Sequence, residues 1–492
     1  MKYKIIEELT NKKVLILGFG REGKSTYRFI KENGVKCELA IADRNDIDKN
    51  DVDNRTKLYT GEDYMNSILK YDIVIKSPGI SFKGKDYSKF ESRITSQTEL
   101  FLKYARNKVV GITGTKGKST TSSLIYQMVK EKYNARLVGN IGKPVFEEID
   151  NYDNTDIFVY ELSSHQLEHI KYSPHIAVLL NMFEEHLDHY NSYNEYKEAK
   201  RNIFKYQREN DIYVFNGDAK KLLNKEYNLK QRQLPVCKQD NDCVEETIYS
   251  EKNIRVKINN KEESINIPQN ANILGKHNIF NLAVATTVAK VLNVGNEDII
   301  KAIKEFKMLP HRLEKIGEYN QVIYIDDSIS TIPEATMSAV DSIENIDTVL
   351  IGGLDRGIDY SKLVKYIEGD NIHNVILMYE SGKKIYDLVD HKKATSNIIY
   401  VKDLNEAVKQ AVKFTEKGKI CLLSPAAASY GMFKNFEDRG DKFKQLVIKY
   451  SKWGINWSPY FDLSFKFFLN KNKTVTKRKR NYKKITIFIQ KV

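Results

Sequence analysis

The stretch GFGREGKST, residues 18–26, follows the apolar segment KKVLIL and precedes a helix-like segment. This first glycine loop matches two patterns, the phosphate-binding loop G-x-x-x-x-G-K-[ST] and the dinucleotide turn G-x-G-x-x-G. A second glycine loop, GITGTKGKST at 111–120, misses the first pattern by one residue and also lies between a strand-like and a helix-like segment. This repeated succession predicts an α/β fold with parallel, doubly wound sheets.

The other residues of the two loops indicate different ligands. In the first loop, Glu22 would repel a triphosphate. Asp43 ends the next strand, about twenty residues beyond the loop's last glycine, where an acid commonly binds a ribose hydroxyl. The second loop has no acid and offers Lys116 and Lys118, three glycines and the hydroxyls of Ser119 and Thr120. We therefore predict that the second loop binds ATP and that the first is a dinucleotide-type turn.

A Mg²⁺ site is expected beside the second loop, because the carboxyl ends of parallel strands share one sheet edge. Glu161 ends the strand-like segment DIFVYE and offers the oxygen that Mg²⁺ prefers. Composition alone does not choose among the further candidates of FEEHLDHY, which are Glu184, Glu185, His186, Asp188 and His189. Lys200, on a predicted helix, would be repelled by a metal and is by itself explained as a solvated lysine.

The net charge of +14 is concentrated in the last 41 residues. Residues 452–492 hold eleven Lys/Arg and one Asp, so ten of the fourteen net charges lie there. Three interpretations of this tail remain open: a non-native extension, a disordered basic segment without a set role, or a segment that docks on anionic membrane or nucleic acid. The rest of the chain has the composition of an ordinary enzyme, and we expect no nucleic acid as partner.

Cysteine spacing and hydropathy predict a reduced, cytoplasmic protein. The four cysteines are scattered without metal-ligand spacing. The N-terminal segment has no apolar core of the kind that secretory signals carry, and no apolar run reaches the length of about 18 residues that a membrane span needs.

Strand-like segments continue after residue 309, where NQVIYIDDS, DTVLIGGLD, NVILMYE and KICLLSPAAAS alternate with helical segments and predict a third α/β unit. Between the second and third units, residues 219–272 are polar and predict a small antiparallel addition. We place the domains at 1–107, 108–308 and 309–451, with 452–492 outside the fold.

Eight segments together resemble the Mur ligases of peptidoglycan synthesis, over residues 10–450. In chain order they are GITGTKGKST, ELSSHQLE, NMFEEHLDHY, LGKHNIFN, LPHRLE, DDSISTIPEA, IGGLDRGIDY and SPAAASYGMFKNFEDRG. The resemblance implies an N-terminal Rossmann-like domain for UDP, a central P-loop ATPase domain and a C-terminal Rossmann-like domain for the amino acid. It also implies ATP-dependent amide formation through an acyl phosphate.

The resemblance assigns roles to residues of the ATP and metal sites. It implies that Ser119, Glu161, His186 and a carbamylated Lys200 serve Mg²⁺, with Lys118 as a catalytic residue. The remaining residues that it places around ATP are Gly114, Thr115, Lys116, Gly117, Thr120, Asn278, Asn281, Arg312 and Asp327.

The resemblance also implies two substrate sites. The residues implied for the nucleotide sugar, UDP-N-acetylmuramoyl-L-alanine, are Gly20, Arg21, Asp43, Arg44, Ser77, Gly79, Asn140, Ser163 and Gln166. The residues implied for D-glutamate are Thr331, Arg356, Ser429 and Phe436. The segment SPAAASYGMFKNFEDRG favours D-glutamate over other amino acids.

Two positions depart from the family pattern, since some members carry lysine where this chain has Ile329 and Arg356. Ile329 cannot bind a carboxylate, whereas Arg356 can clamp one with two hydrogen bonds. The alternatives are a sibling ligase with another amino acid and a folate-type polyglutamate ligase. We expect a monomer.

Overall fold

The computed structural model describes residues 1–149, 156–183, 189–219, 228–240, 243–269, 271, 276–307 and 309–453. Contacts within the chain form two compact units, one from Met1 to Leu309 and one from Pro310 onward. Residues 452 and 453, predicted to lie outside the fold, continue the last helix, which runs over Phe436–Trp453. The rest of the tail, with its three interpretations, lies outside the described residues.

The first sheet of the first unit is parallel throughout, with strand order β3-β2-β1-β4-β5. Its strands are β1 (Lys13–Leu17), β2 (Glu38–Asp43), β3 (Lys57–Thr60), β4 (Ile73–Lys76) and β5 (Ile94–Thr95). Its helices are α1 (Lys2–Leu9), α2 (Arg21–Glu32) and α3 (Gln97–Ala105). The run Val14–Leu17 is fully buried, as expected for a central parallel strand.

The second sheet has nine strands in the order β14-β13-β12-β11-β10-β9-β6-β8-β7. The strands are β6 (Val109–Thr113), β7 (Asn134–Gly139), β8 (Asp156–Glu161), β9 (Ile176–Leu179), β10 (Ile212–Asn216), β11 (Arg232–Cys237), β12 (Glu246–Tyr249), β13 (Asn253–Ile258) and β14 (Lys261–Asn266). The helices are α4 (Lys118–Val129), α5 (Ser164–Leu167), α6 (Tyr193–Lys205), α7 (Lys276–Val291) and α8 (Asn296–Glu305).

The antiparallel addition predicted for residues 219–272 is confirmed for its last three strands, which extend the second sheet rather than form one of their own. The strands β12, β13 and β14 pair antiparallel, while β11 continues the parallel part.

The second unit has one six-stranded sheet, in the order β15-β16-β20-β17-β18-β19, antiparallel only at its β15 edge. The strands are β15 (Glu314–Tyr319), β16 (Val322–Asp326), β17 (Ile346–Ile351), β18 (Asn374–Met378), β19 (Asn397–Val401) and β20 (Ile420–Leu423). The helices are α9 (Pro333–Ser342), α10 (Ser361–Glu368), α11 (Tyr379–Leu388), α12 (Leu404–Phe414) and α13 (Phe436–Trp453).

The strand ends place the candidate site. Ile112 of β6 pairs with Glu161 of β8, so this carboxylate lies beside the entry to the second glycine loop. Within the described part of the chain, no helix combines the length and the apolar character needed to cross a membrane.

Candidate active site at the second glycine loop

The second glycine loop closes at Gly117, which has a φ of +84° and precedes α4. A Cβ atom there would lie 2.5 Å from Asn281 Oδ1, so both the backbone conformation and the close approach require glycine. Asn281 Nδ2 donates to Asn278 Oδ1 at 2.9 Å. The two asparagines predicted to surround ATP therefore lie on the helix that packs against this loop.

Two ammonium groups converge on one carbonyl of the loop. Gly114 O accepts hydrogen bonds from Lys118 Nζ at 2.9 Å and from Lys200 Nζ at 3.0 Å. Lys118 also donates to Thr115 O at 3.0 Å. Lys200 is 2% exposed, and its Nζ lies 4.8 Å from the centre of the Tyr196 ring. The interpretation of Lys200 as a solvated helix lysine is therefore wrong.

Glu161 provides a buried carboxylate next to the second glycine loop. Its Oε1 accepts a hydrogen bond from Asn140 Nδ2 at 2.9 Å. Its Oε2 is buried and has no hydrogen-bond partner among the described residues. A buried carboxylate oxygen without a partner is costly, and a bound cation would satisfy it. The chemistry of this site therefore fits a Mg²⁺ ion.

The other predicted metal ligand, His186, lies outside the described residues, as do Glu184, Glu185 and Asp188. Of the open candidates in this segment, His189 is described. Its Nε2 lies 3.1 Å from Glu168 Oε2, so this imidazole is already engaged by a carboxylate.

Two residues that hold the loop were missed from the sequence. Asn181 Oδ1 accepts from Lys116 N at 2.8 Å, and its Nδ2 donates to Lys116 O at 3.0 Å. The hydroxyls of Tyr196 and Thr115 lie 2.7 Å apart. The available signals were that Asn181 follows the end of β9 and that Tyr196 lies one helical turn before Lys200.

The first glycine loop is held by side chains from neighbouring strands. Asp43 Oδ2 accepts from Phe19 N at 2.6 Å, and Ser77 Oγ donates to Gly18 O at 2.7 Å. Asp43, predicted to bind a ribose, therefore also shapes the turn. Gly20 precedes α2, and no side chain caps this helix.

Charged residues around the first loop pair either with carboxylates or with main-chain oxygens. Lys24 and Asp51 form a surface ion pair at 2.5 Å. The lysine that matches the phosphate-loop pattern is therefore paired with a carboxylate. Arg44 pairs with Glu62 at 2.7 Å and is exposed. Arg21 donates to the main-chain oxygens of Asn140 and Gly142 in the second sheet's domain.

The predicted nucleotide-sugar residues of the second sheet are linked to both loops. Asn140 bonds Glu161, as described above, and Ser163 with Gln166 forms a reciprocal cap at the start of α5. Gly79 lies in the turn after β4 and is exposed.

The second unit carries a buried carboxyl at Asp327. Burial raises the pKa of Asp327 to about 6, against hydrogen bonds from Ser330 Oγ at 2.6 Å and Ser424 Oγ at 2.9 Å. The nearby Arg312 has a buried Nε without a hydrogen-bond partner in the described part of the chain. An unpaired guanidinium nitrogen of this kind suits an anionic ligand.

The predicted amino-acid residues lie on segments that follow three adjacent strands of this unit. Ser429 is buried, while Thr331 and Phe436 are half-buried. Leu354 N donates to Ala428 O at 2.9 Å, which joins the turn that carries Arg356 to the segment that carries Ser429. Arg356 is exposed, and the side chain of Ile329 is half-buried.

A group of possible metal ligands in the second unit is already neutralised. Atoms of His311, Glu314 and Asp326 lie within 4.8 Å of one another. Lys444 Nζ lies 2.8 Å from Glu314 Oε2 and 3.7 Å from Asp326 Oδ2. The Lys444 ammonium offsets the charge of these two carboxylates, and we interpret the group as structural.

Three family profiles match the chain, one for each sheet. They are "Mur ligase MurD-like, N-terminal domain" over residues 12–93, "Mur ligase middle domain" over 112–289 and "Mur ligase, glutamate ligase domain" over 311–427.

Curated relatives match along most of the chain. A "UDP-N-acetylmuramoylalanine--D-glutamate ligase" of Clostridium botulinum is 34% identical over 458 residues, covering 89% of this chain and 96% of the relative. The protein of the same name from Clostridium tetani is 33% identical over 451 residues, with the same coverage.

Solved structures share the fold at lower identity. The MurF ligase of Thermotoga maritima in complex with ADP has a TM-score of 0.54 at 18% identity, covering 91% of this chain and 96% of that one. The UDP-N-acetylmuramate-alanine ligase MurC of the same organism has a TM-score of 0.52 at 18% identity, covering 88% and 99%. The predicted three-domain α/β architecture is thereby confirmed. With the profiles and the curated relatives in agreement, this chain belongs to the Mur ligase family.

Proposed function

We propose that this chain is an ATP-dependent ligase that joins D-glutamate to UDP-N-acetylmuramoyl-L-alanine in peptidoglycan precursor synthesis. The resemblance to D-glutamate ligases over 89% of the chain supports this choice among Mur ligases. The observation that carries the chemistry is the convergence of Lys118 and Lys200 on Gly114 O, beside the buried carboxylate of Glu161.

The second glycine loop binds the phosphates of ATP. Main-chain N–H groups of the loop and the start of α4 favour anions, and the adjacent hydroxyls of Ser119 and Thr120 face the same phosphates. Lys118 places a positive charge where the transferred phosphoryl group develops negative charge. A Mg²⁺ ion held by Ser119, Glu161, His186 and a modified Lys200 would supply further charge neutralisation.

The reaction needs little covalent chemistry from the protein. The L-alanyl carboxylate attacks the γ-phosphate of ATP, so that an acyl phosphate forms and ADP leaves. The amine of D-glutamate then attacks the acyl carbon, an amide bond forms, and phosphate leaves with the bonding electrons. The chain's own contribution is to bind, orient and neutralise charge.

Lys200 enters this site as a carbamate in our proposal. An unmodified ammonium beside Lys118 would repel both that lysine and a metal ion. Carbamylation replaces the ammonium with an anionic oxygen donor on a side chain that is already buried next to the loop.

The substrates are assigned to the three domains as predicted, with boundaries at 1–107, 108–308 and 309–451. The nucleotide sugar binds through the residues predicted for it, which are Gly20, Arg21, Asp43, Arg44, Ser77, Gly79, Asn140, Ser163 and Gln166. The C-terminal domain binds D-glutamate through Thr331, Arg356, Ser429 and Phe436, and it contributes Arg312 and Asp327 to binding ATP. A monomeric, cytoplasmic enzyme stays our prediction.

The decisive experiment measures ADP release in the presence of UDP-N-acetylmuramoyl-L-alanine with each candidate amino acid. We expect release with D-glutamate and with no L-amino acid, because the curated relatives are named D-glutamate ligases. Turnover with a different amino acid would identify a sibling ligase. Turnover with a folate and glutamate, and none with the nucleotide sugar, would identify a polyglutamate ligase.

Arg356→Ala is expected to raise the KM for D-glutamate about tenfold or more and to leave the KM for ATP nearly unchanged, because a charged hydrogen bond to a carboxylate is lost. Arg356 is exposed on the turn after β17. Lys362→Ala, at another exposed cation of the same unit, is the control. A larger change in the KM for ATP would place Arg356 at the nucleotide.

Removal of the tail is expected to leave ligation and the unfolding midpoint unchanged. The truncation should retain α13 to Trp453, because Ser451 O accepts from Asn320 Nδ2 at 2.7 Å and Ser451 is buried. Differential scanning fluorimetry and ADP release test this. A loss of several degrees, or loss of ligation, would contradict the prediction that the tail lies outside the fold.

A further inference from the structure

A buried contact joins the first glycine loop to the segment SSHQLEH, residues 163–169, of the next domain. Glu22, in the first turn of α2, accepts a hydrogen bond at Oε1 from Gln166 Nε2 at 2.6 Å. Its Oε2 is buried and has no hydrogen-bond partner within the described residues. From the sequence, Glu22 served only as an argument against a triphosphate, and its partner was not foreseen.

Gln166, the partner of Glu22, also forms hydrogen bonds with Ser163. Gln166 Oε1 accepts from Ser163 N at 2.9 Å and from Ser163 Oγ at 3.1 Å. Ser163 Oγ in turn accepts from Gln166 N at 3.2 Å. Because the amide oxygen is taken by Ser163, the amide nitrogen faces Glu22, and one carboxyl fixes the orientation of both residues that we assign to the nucleotide sugar.

A second buried contact holds the same segment. Lys76, the last residue of β4, lies 3.1 Å from Glu168 Oε2. Burial acts to raise the pKa of Glu168, but the hydrogen bond from His189 and the charge of Lys76 hold it at about 2. The Glu168 carboxylate therefore stays charged near neutrality, while burial lowers the pKa of its partner Lys76 from the ordinary lysine value.

Burial raises the pKa of Glu22 to about 7, against the opposing effects of Gln166, Arg21 and Lys76. The ionisable groups that face its carboxyl come from its own helix, from β4, from β8 and from the 163–169 segment: Arg21, Lys76, Tyr160, His165 and His169. The remaining lining of this small pocket is neutral and includes Thr95, Ser96 and Thr98.

We propose that Glu22 is a positioning residue for the nucleotide sugar, which acts by holding Gln166 and Ser163 against the first glycine loop. The inference rests on the function proposed above. A carboxylate accepts a hydrogen bond about twice as strongly as a neutral group does. Deprotonation of Glu22 therefore tightens the contact to Gln166, and the affinity for the nucleotide sugar changes with pH in the range where Glu22 titrates.

The test measures binding of UDP-N-acetylmuramoyl-L-alanine and of ADP to the full chain by isothermal titration calorimetry. Glu22→Ala removes the acceptor and is expected to weaken nucleotide-sugar binding about tenfold, with ADP binding unchanged. Glu22→Gln keeps an oxygen acceptor without the charge. It is expected to bind the nucleotide sugar more tightly than Glu22→Ala and to lose the pH dependence that the unsubstituted chain has between pH 6 and pH 8. Lys24→Ala, on the same helix but paired at the surface with Asp51, is the matched control.

Three outcomes would overturn the inference. Glu22→Ala could weaken ADP and the nucleotide sugar equally, which is the result of a general structural defect, or it could weaken neither. Glu22→Gln could retain the full pH dependence, and this readout holds even if Glu22→Ala fails to fold. An unsubstituted chain that binds no nucleotide sugar would overturn the proposed function as well, whereas binding that no Glu22 variant alters overturns the inference alone.

Discussion

Lys118→Ala is expected to lose ATP turnover by at least about a hundredfold, the scale of effect seen when one preorganised donor to transition-state charge is removed. Lys118 Nζ lies within hydrogen-bonding distance of Gly114 O and Thr115 O, so its ammonium is at the second glycine loop itself. In the proposed mechanism, removing it takes away a positive charge that stabilises the transferred phosphoryl group. ADP release under saturating substrates is the measurement.

The control for this prediction is Lys24→Ala, at the lysine that fits the strict phosphate-loop pattern in the first loop. Lys24 forms an exposed ion pair with Asp51, and such pairs contribute little to stability, about 0–1 kcal/mol. We expect this variant to keep most of its turnover and its unfolding midpoint. Turnover that survives Lys118→Ala and disappears in folded Lys24→Ala would reverse the assignment of the two loops.

The positions of strand ends could be predicted from the sequence because a strand that is buried on both faces appears as a continuous apolar run. The runs VLIL at 14–17 and VVGI at 109–112 contain no polar side chain, which is typical of central parallel strands. The rule that ligands bind at the carboxyl edge of such sheets then placed Glu161 near the second loop. The pairing of Ile112 with Glu161 confirms this placement.

The side-chain contacts of the site could not be predicted in the same way, because they join residues that are distant in sequence and individually common. Lys200 meets Gly114 across 86 positions, and Glu22 meets Gln166 across 144. No periodicity encodes such a pair. The direction of Asn181 toward the loop depends on the turn after β9, which local propensity does not determine.

The burial of Lys200 did have a signal in the sequence. On α6 the buried residues Tyr196, Ile203 and Phe204 lie three or four positions from Lys200, so the lysine falls on the apolar face of the helix. A charged residue on such a face is rarely buried without a partner or a function.

Lys200→Ala is expected to be nearly inactive, with a loss comparable to that of Lys118→Ala, and to be partly rescued by a small carboxylate such as acetate. The shortened side chain leaves space next to Gly114 and Tyr196, and acetate can bring an anionic oxygen into it. A carbamate is anionic and an ammonium is not, so rescue by an anion distinguishes the modified lysine from an unmodified one. ADP release with and without acetate is the measurement.

Two further observations bear on the same prediction. Lys205→Ala, at the exposed end of the same helix, should be active and unaffected by acetate. Labelled bicarbonate should exchange into the unsubstituted protein and give a carbamate signal by NMR, and Lys200→Ala should lack that signal. If Lys200 served as an ammonium, ethylamine would rescue the variant better than acetate, and no labelled carbamate would form. Full activity of Lys200→Ala without any additive would remove Lys200 from the metal site altogether. The positive charge of the Lys200 ammonium beside Lys118 would then have to be balanced by the phosphates of ATP alone.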